Sequence, residues 1–458
     1  MENNEDNKKL DLIINNPKKA ILVLAVPLMI SMMVDLINDV VNSIWLSTIG
    51  SDALAAFGFL NPLLIITVGI GIGLGAGSSA VMAKFMGENN KKQATNAALH
   101  SIILAIALFI IIPLICIIFM EPIFLALGAK DVLQLTCDYG FYFLIGMYAF
   151  AMPLVLQPIL IIGGDTKRAA YPLVLSAIAN IFLNPLFIFY FGLGISGSAI
   201  STIFSQTVFA ILPMVYWIFI KKDILLDISF KNFKADMSIL KSLLLVGVPA
   251  AMEEAFLAIL TAGINLILSI TAGATAVAVY STTWRLVELG LTPIFGVGMA
   301  LVTVIGLHYG AKNWDKFKLS FSFAAKISIL IGFIVFILIF IFADPLSHLF
   351  SIAEESVNLD LLISKSIRIL GLYLITSSVG YIVTYYLQGV EKGVTLFILT
   401  GIKEVVFCLV TIYIFVFVLG LGESGVYLGM IVGGLLGSII LYLFAKYDIS
   451  KIIKSSVE

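Results

Sequence analysis

Residues 26–45 are apolar enough to cross a bilayer, yet they carry Asp35, Asp39 and Asn42. On a helix these fall at i, i+4 and i+7 and project from one face. An ionised carboxylate at bilayer depth costs at least about 2.5 kcal/mol on insertion scales, so that face must look at water, a cation or a partner. The plainer alternative is a polar contact between helices, or acids that lie nearer the interface. Intramembrane acids are functional by default, so cation or proton binding is the chemistry expected here. A second polar stripe, Ser176, Asn180 and Asn184, is spaced i, i+4 and i+8 within 173–190. Such side chains are helix–helix glue worth roughly 0.6–2 kcal/mol each, or oxygen ligands for a hard cation. Beside the Asp35/Asp39 face, the cation or proton site is favoured.

The second half has its own charged set: Pro249-Ala-Ala-Met-Glu-Glu-Ala-Phe256, then Trp284-Arg285-Leu-Val-Glu288. Arg285 and Glu288 are i, i+3 and can neutralise each other. Glu253 and Glu254 point roughly 100° apart on a helix, so at most one readily shares that pairing while the other faces a cavity. A desolvated carboxylate suits reversible protonation near neutral pH. Lys403-Glu404 is a further adjacent pair, for which a structural role is favoured, with Lys403 bonded to a neighbouring carboxylate.

Other patterns exclude function classes. His100, His308 and His348 are scattered without metal spacing, and no Ser/His/Asp arrangement can be built from them. Gly69-Ile-Gly-Ile-Gly-Leu-Gly-Ala-Gly77 lacks the preceding strand and the Lys-Ser/Thr of a phosphate loop, whereas Gly69, Gly73 and Gly77 form a small-residue ridge for close helix packing. Gly163-Gly-Asp-Thr166 reads as a turn. No loop is long enough for an ATPase domain. Cys116, Cys137 and Cys408 form neither a metal pattern nor a disulfide framework. An enzyme is not expected, nor a cofactor beyond Na⁺ or H⁺ as coupling ion. With a net charge of -1 and no basic run, nucleic acid is not an expected partner.

The elements that must position these residues are membrane helices. The chain of 458 residues is 60% hydrophobic and 12% charged, about half the charged fraction of a globular domain, with mean hydropathy +1.10. Twelve apolar runs of about 20 residues or more lie near 20–46, 53–83, 96–119, 132–162, 169–190, 197–220, 239–270, 275–307, 319–342, 361–388, 394–418 and 425–446. The expected domains are a tail at 1–19, a six-helix bundle at 20–220, a polar linker at 221–238, a second bundle at 239–446 and a tail at 447–458. The N-terminal tail lacks a cleavable signal peptide's pattern. Lysines and arginines concentrate in the tails, the linker and alternate loops, which predicts that both termini are cytoplasmic.

The halves repeat. Gly50-Ser-Asp-Ala-Leu-Ala-Ala matches Gly273-Ala-Thr-Ala-Val-Ala-Val; Gly73, Gly75 and Gly87 match Gly296, Gly298 and Gly310 at the same offset. Glu121-Pro122 matches Asp344-Pro345, and Gly192-Leu-Gly-Ile-Ser-Gly197 matches Gly420-Leu-Gly-Glu-Ser-Gly425. An even number of spans per half makes these parallel repeats, a design in which secondary transporters bind substrate between or within the halves and rock them.

With Pro27, Ile49-Gly-Ser-Asp-Ala-Leu-Ala-Ala56, Gly87-Glu-Asn-Asn, Asn180-Ile-Phe-Leu-Asn-Pro-Leu-Phe-Ile188 and Gly310-Ala-Lys-Asn in order, the chain resembles the multidrug and toxic compound extrusion (MATE) family over essentially its whole length. The resemblance implies an all-α membrane protein of twelve transmembrane helices in two pseudo-symmetric six-helix bundles forming a V-shaped cleft. It also implies export of organic, often cationic, compounds driven by inward Na⁺ or H⁺. Members of that family commonly have Asp where this chain has Asn42 and Asn184, so two charges are missing from the N-terminal cation pocket. Asp39 could supply charge there, with Asn180, Asn184 and Thr202 as neutral ligands for Na⁺; alternatively, coupling has moved to Glu253 or Glu254. The expected function is therefore secondary active multidrug antiport in a prokaryotic cell (plasma) membrane. Met32, Met252, Arg285 and Glu288 would line the substrate cleft, and the partners would be small organic substrates and the lipid bilayer around a monomer. The rivals are a lipid-linked saccharide flippase of the same superfamily and a non-transporting membrane sensor.

Overall fold

The computed structural model describes residues 15–221, 224–351 and 359–456, and within these it is helical almost throughout. Among the described residues eleven helices are long and apolar enough to span a bilayer. One further pair, Leu359–Leu370 and Tyr373–Gly389, passes the same criterion together but is bent by 48°. The apolar run at 361–388 is thus a broken span. At the break Gly371 donates its N–H to Ile367 O at 2.8 Å, and an added Cβ would lie 3.1 Å from the Phe336 ring. The helices otherwise follow the hydropathy pattern, because a backbone in lipid must satisfy its own N–H and C=O groups.

The sequence repeat is reproduced in the backbone. Gly192 and Gly194 have φ of 68° and 55°, and their counterparts Gly420 and Gly422 have 66° and 55°. These left-handed values are why glycine occupies both copies. Each pair follows a π-helical turn, Leu186–Tyr190 in the first half and Ile414–Val418 in the second. Asn89 and Lys312, also matched, share φ of 57° and 53°. Each precedes an asparagine N-cap: Asn90 accepts from Gln93 N at 3.2 Å, and Asn313 from Lys316 N at 3.3 Å.

The chain forms two compact units, one built on Val26–Ala251 and the other on Asn16–Ala25 with the residues from Met252 onward. In the first, the Ser51–Gly87 helix packs tightly on the start of Met237–Ala272. A Cβ at Gly77 would sit 2.5 Å from Leu243 O, and one at Gly73 would run into Gly247 O. The glycine ridge serves packing here, as small residues do in membrane helix contacts. The polar connection ahead of residue 237 is pinned at several points. Leu226 and Ile228 are fully buried, and Asn96 exchanges two hydrogen bonds with the Lys234 backbone at 2.8 and 3.1 Å. His100 Nε2 accepts from Asp236 N at 3.0 Å. The second unit has a core around Tyr280, Tyr373, Leu374 and Tyr427.

Candidate functional site

In the first unit the polar stripe of the Thr166–Pro185 helix meets the first helix and the Gly194–Ser205 helix. Asn184 is the hub, since its Nδ2 donates to Asn42 Oδ1 at 2.5 Å and to Asn180 Oδ1 at 2.7 Å. Ser201 Oγ donates to Asn184 Oδ1 at 2.8 Å, and Asn180 Nδ2 donates to Thr202 Oγ1 at 3.1 Å and Ser205 Oγ at 3.3 Å. All six residues are buried. The arrangement follows from spacing, because Ser198, Ser201, Thr202 and Ser205 share one face at i, i+3, i+4 and i+7. Thr202 and Ser205 turn their own hydrogens back to Ser198 O and Thr202 O, which leaves their oxygens free to accept from Asn180. Every oxygen of the three asparagine side chains is engaged by a neutral donor. Among the described residues the network is built of neutral groups. Ser176, first in the stripe, is also fully buried, but its Oγ has no hydrogen-bond partner. The side chains of Asp35 and Asp39 lie outside the described residues; their backbone belongs to the Pro17–Ser47 helix.

The second unit holds buried charge. Lys403 and Glu404 form an ion pair on the π-helical turn Ile402–Phe407, at 0% and 1% exposure. A π turn inside a span is frequently a mark of function. The Lys403 ammonium lies 3.8 Å from the centroid of the Tyr381 ring, and Tyr373 OH donates to Glu404 Oε2 at 3.3 Å. Glu253, on the Met237–Ala272 helix, has Thr400, Lys403, Glu404 and Glu254 for electrostatic neighbours. Its Oε1 is shielded and without a hydrogen-bond partner, as is Thr400 Oγ1.

The two adjacent acids part company. Glu254 is half-buried and faces Glu288, which in turn lies near Arg285. Arg285 and Glu288 are exposed on the Ala274–Gly310 helix, Met252 is 38% exposed, and Met32 is half-buried in the other unit. The structure therefore joins Asn42, Asn180, Asn184 and Thr202 in one network and Glu253 with Lys403 and Glu404 in another. Sequence reasoning missed Ser201 and Ser205, although their helical spacing was readable. It also missed Tyr373, Tyr381 and Thr400, whose roles depend on which face of a broken or π-bulged helix they occupy. Among the described residues no group of three or more His, Cys, Asp or Glu side chains could hold a metal ion.

A chain of membrane helices in two repeated units, each with a buried polar site, has the design of a transporter. The MatE family model matches residues 27–186 and 249–419, one match in each half, and the chain belongs to this family of transporters. It is 28% identical over 340 residues to the "FAD transporter" of Shewanella oneidensis, covering 73% of this chain and 74% of that protein. It is 24% identical over 378 residues to the "Multidrug export protein MepA" of Staphylococcus aureus, covering 82% of each. Among solved structures, an outward-facing multidrug resistance MATE transporter of the MOP superfamily superposes with TM-score 0.94 at 32% identity, over 98% of this chain and 99% of that one. Fold and family are those the sequence motifs imply.

Proposed function

We propose that the protein is a secondary active exporter of organic, often cationic, compounds, driven by inward movement of a cation, and that Glu253 is the carboxylate that exchanges this cation. The observation that carries the reading is the Glu253 Oε1 atom. It is buried on a membrane-spanning helix, with the Thr400 hydroxyl, Lys403 and Glu404 as its polar neighbours and no hydrogen bond of normal geometry. A carboxylate so placed is costly when charged and unpaired, and much less so when a proton or cation is on it. Loaded, the site is neutral and can be buried; unloaded, its charge attracts a cationic substrate. Competition of ion and substrate for one carboxylate then couples their opposite movements, as the two repeated halves at 20–220 and 239–446 alternate access. Asp35 and Asp39, with Asn42, Asn180, Asn184 and Thr202, supply a weaker second position, because the neutral ligands are already satisfied by one another. Arg285, Glu288, Met32 and Met252 serve the substrate path, where flexible thioethers suit varied ligands. The lysine-rich loops support both termini in the cytoplasm of a prokaryotic cell, and the protein acts as a monomer.

A second reading, export of an anionic flavin nucleotide, is favoured by the FAD transporter among the relatives and by the exposed Arg285. Proteoliposomes loaded with a fluorescent organic cation or with FAD, under imposed H⁺ or Na⁺ gradients, decide between them. Gradient-driven efflux of the dye supports the proposal. Efflux of FAD alone supports the second reading, and flux of neither compound contradicts export.

A further inference from the structure

The two copies of the repeat carry their polar groups at different positions of the repeat. With Gly192 laid on Gly420, Ser176 falls on Glu404, Asn180 on Cys408 and Asn184 on Ile412. With Pro27 laid on Pro249, Ser31 falls on Glu253. The second unit thus has apolar side chains where the first has its asparagine network. It has two carboxylates where the first has two serines. Lys403 accompanies them, and room is made for it. A Cβ on Gly380 would meet Lys403 Cε at 2.7 Å and Ser438 Oγ at 2.6 Å, and one on Gly437 would meet Lys403 Cγ at 2.6 Å. Small residues on two neighbouring helices hold the lysine stem, and the ammonium is aimed at Glu404.

From this cradle we propose that Lys403 is a tethered cation that occupies the place of an inorganic one and makes the second unit's site selective for protons over Na⁺. The inference rests on Glu253 as the exchange carboxylate. With Glu253 and Glu404 ionised and Lys403 charged, the cluster carries one net negative charge, which one proton cancels. A hard cation needs a shell of several oxygens. Glu404 Oε1 is taken by the ammonium and Oε2 by the Tyr373 hydroxyl. The oxygens left without bonds of their own are Glu253 Oε1 and the neutral hydroxyls of Thr400, Ser377, Tyr381 and Ser438, so Glu253 is the one carboxylate of the pair not already matched to the ammonium. A proton needs only the Glu253 carboxylate, whereas Na⁺ would have to sit as a second cation beside the Lys403 ammonium, which already holds Glu404 and the face of the Tyr381 ring. The groups facing this site are Glu254 on the same helix as Glu253, Lys403 and Glu404 on theirs, and Tyr373, Tyr381 and Tyr385 on the Tyr373–Gly389 helix. Lys403 is a positioning and selectivity residue that acts through Glu404.

The test is thermal unfolding of the purified protein, with NaCl exchanged for choline chloride, for wild type, Lys403→Arg, Lys403→Gln and the Lys403→Gln/Glu404→Gln double variant. The expected result is no Na⁺-dependent shift in Tm for wild type and Lys403→Arg. Lys403→Gln gains a rise in Tm with Na⁺, which the double variant loses with the second carboxylate. Na⁺ that raises the Tm of wild type as much as that of Lys403→Gln overturns the proposal, as does a Lys403→Gln protein that folds and ignores Na⁺. Should Lys403→Gln not fold, the decision falls to wild type in proteoliposomes. Efflux driven by a proton gradient and not by a Na⁺ gradient supports the proposal. Na⁺-driven efflux that Glu253→Gln abolishes overturns it. Absence of flux under either gradient is a failure of the exporter reading; the Na⁺ dependence of Tm still decides the role of Lys403.

Discussion

The asparagine network of the first unit works through a property of the amide that a carboxylate lacks. Asn184 gives both amide hydrogens to Asn42 and Asn180 while accepting from Ser201. Truncation to Ala would leave the Asn42 and Asn180 amide oxygens without the donor they have now, at about 1–3 kcal/mol for each unsatisfied group, while the Ser201 hydroxyl keeps Ser198 O as acceptor. We expect Asn184→Ala to lower Tm clearly while leaving gradient-driven transport measurable, as the proposal of Glu253 for the coupling carboxylate requires. A thermal melt and an efflux assay on the same preparation check both halves of that statement. The stripe Ser176, Asn180, Asn184 was legible in the sequence as one helix face. That its members satisfy each other was not, because the deciding partners, Asn42, Ser201 and Ser205, sit on two other helices. Glu253 and Glu254 were legible as diverging neighbours. The buried partners of Glu253 only become visible once a π turn places Lys403 and Glu404 beside it.

Helix contacts carry their own tests. The Gly73 and Gly77 backbone touches the Met237–Ala272 helix closely enough that no side chain fits. Gly77→Val should cost roughly 1–3 kcal/mol or more through overpacking and reduce the folded yield, which a size-exclusion profile in detergent reads directly. Just past the Trp314–Ile341 span, the Ala343–Ser351 helix is tied to Leu359–Leu370, the first arm of the broken span, by Asp344, which accepts from Ser364 and pairs with Arg368 at 2.9 Å. The Ser364 hydroxyl first, then the Arg368 guanidinium, hold the Asp344 carboxyl below its ordinary value. A lowered folded value means the contribution is present above the unfolded pKa of about 3.9 and is lost as pH falls through the folded value. Asp344→Asn should therefore be less stable than wild type at neutral pH, and the gap should close below about pH 4; melts across pH 3–7 test this at roughly half-unit steps. Twelve hydrophobic runs gave away the spans. The 48° bend after Leu370 was not anticipated, although Lys365, Arg368 and Gly371 set the first arm of 361–388 apart from the uncharged second arm.

At the scale of the molecule, duplication has been followed by divergence of chemistry on a shared frame. The turns at Gly192/Gly194 and Gly420/Gly422 keep the same backbone, as do those at Asn89 and Lys312. The repeat-related helices nonetheless carry neutral amides in one unit and an ionic cluster in the other. The frame was readable because glycine turns and asparagine caps are dictated locally, by φ and by unsatisfied helix N–H groups. The site was only half readable because it depends on which helix faces meet. Under the proposed function, coupling resides in the second unit. The most direct test is gradient-driven efflux of a fluorescent organic cation from proteoliposomes for wild type, Glu253→Gln and Asp39→Asn, each reconstituted at matched density. We predict that Glu253→Gln falls to the level of protein-free liposomes while Asp39→Asn retains most of the wild-type rate. Loss of efflux in Asp39→Asn with Glu253→Gln still active would contradict the account and return coupling to the first helix.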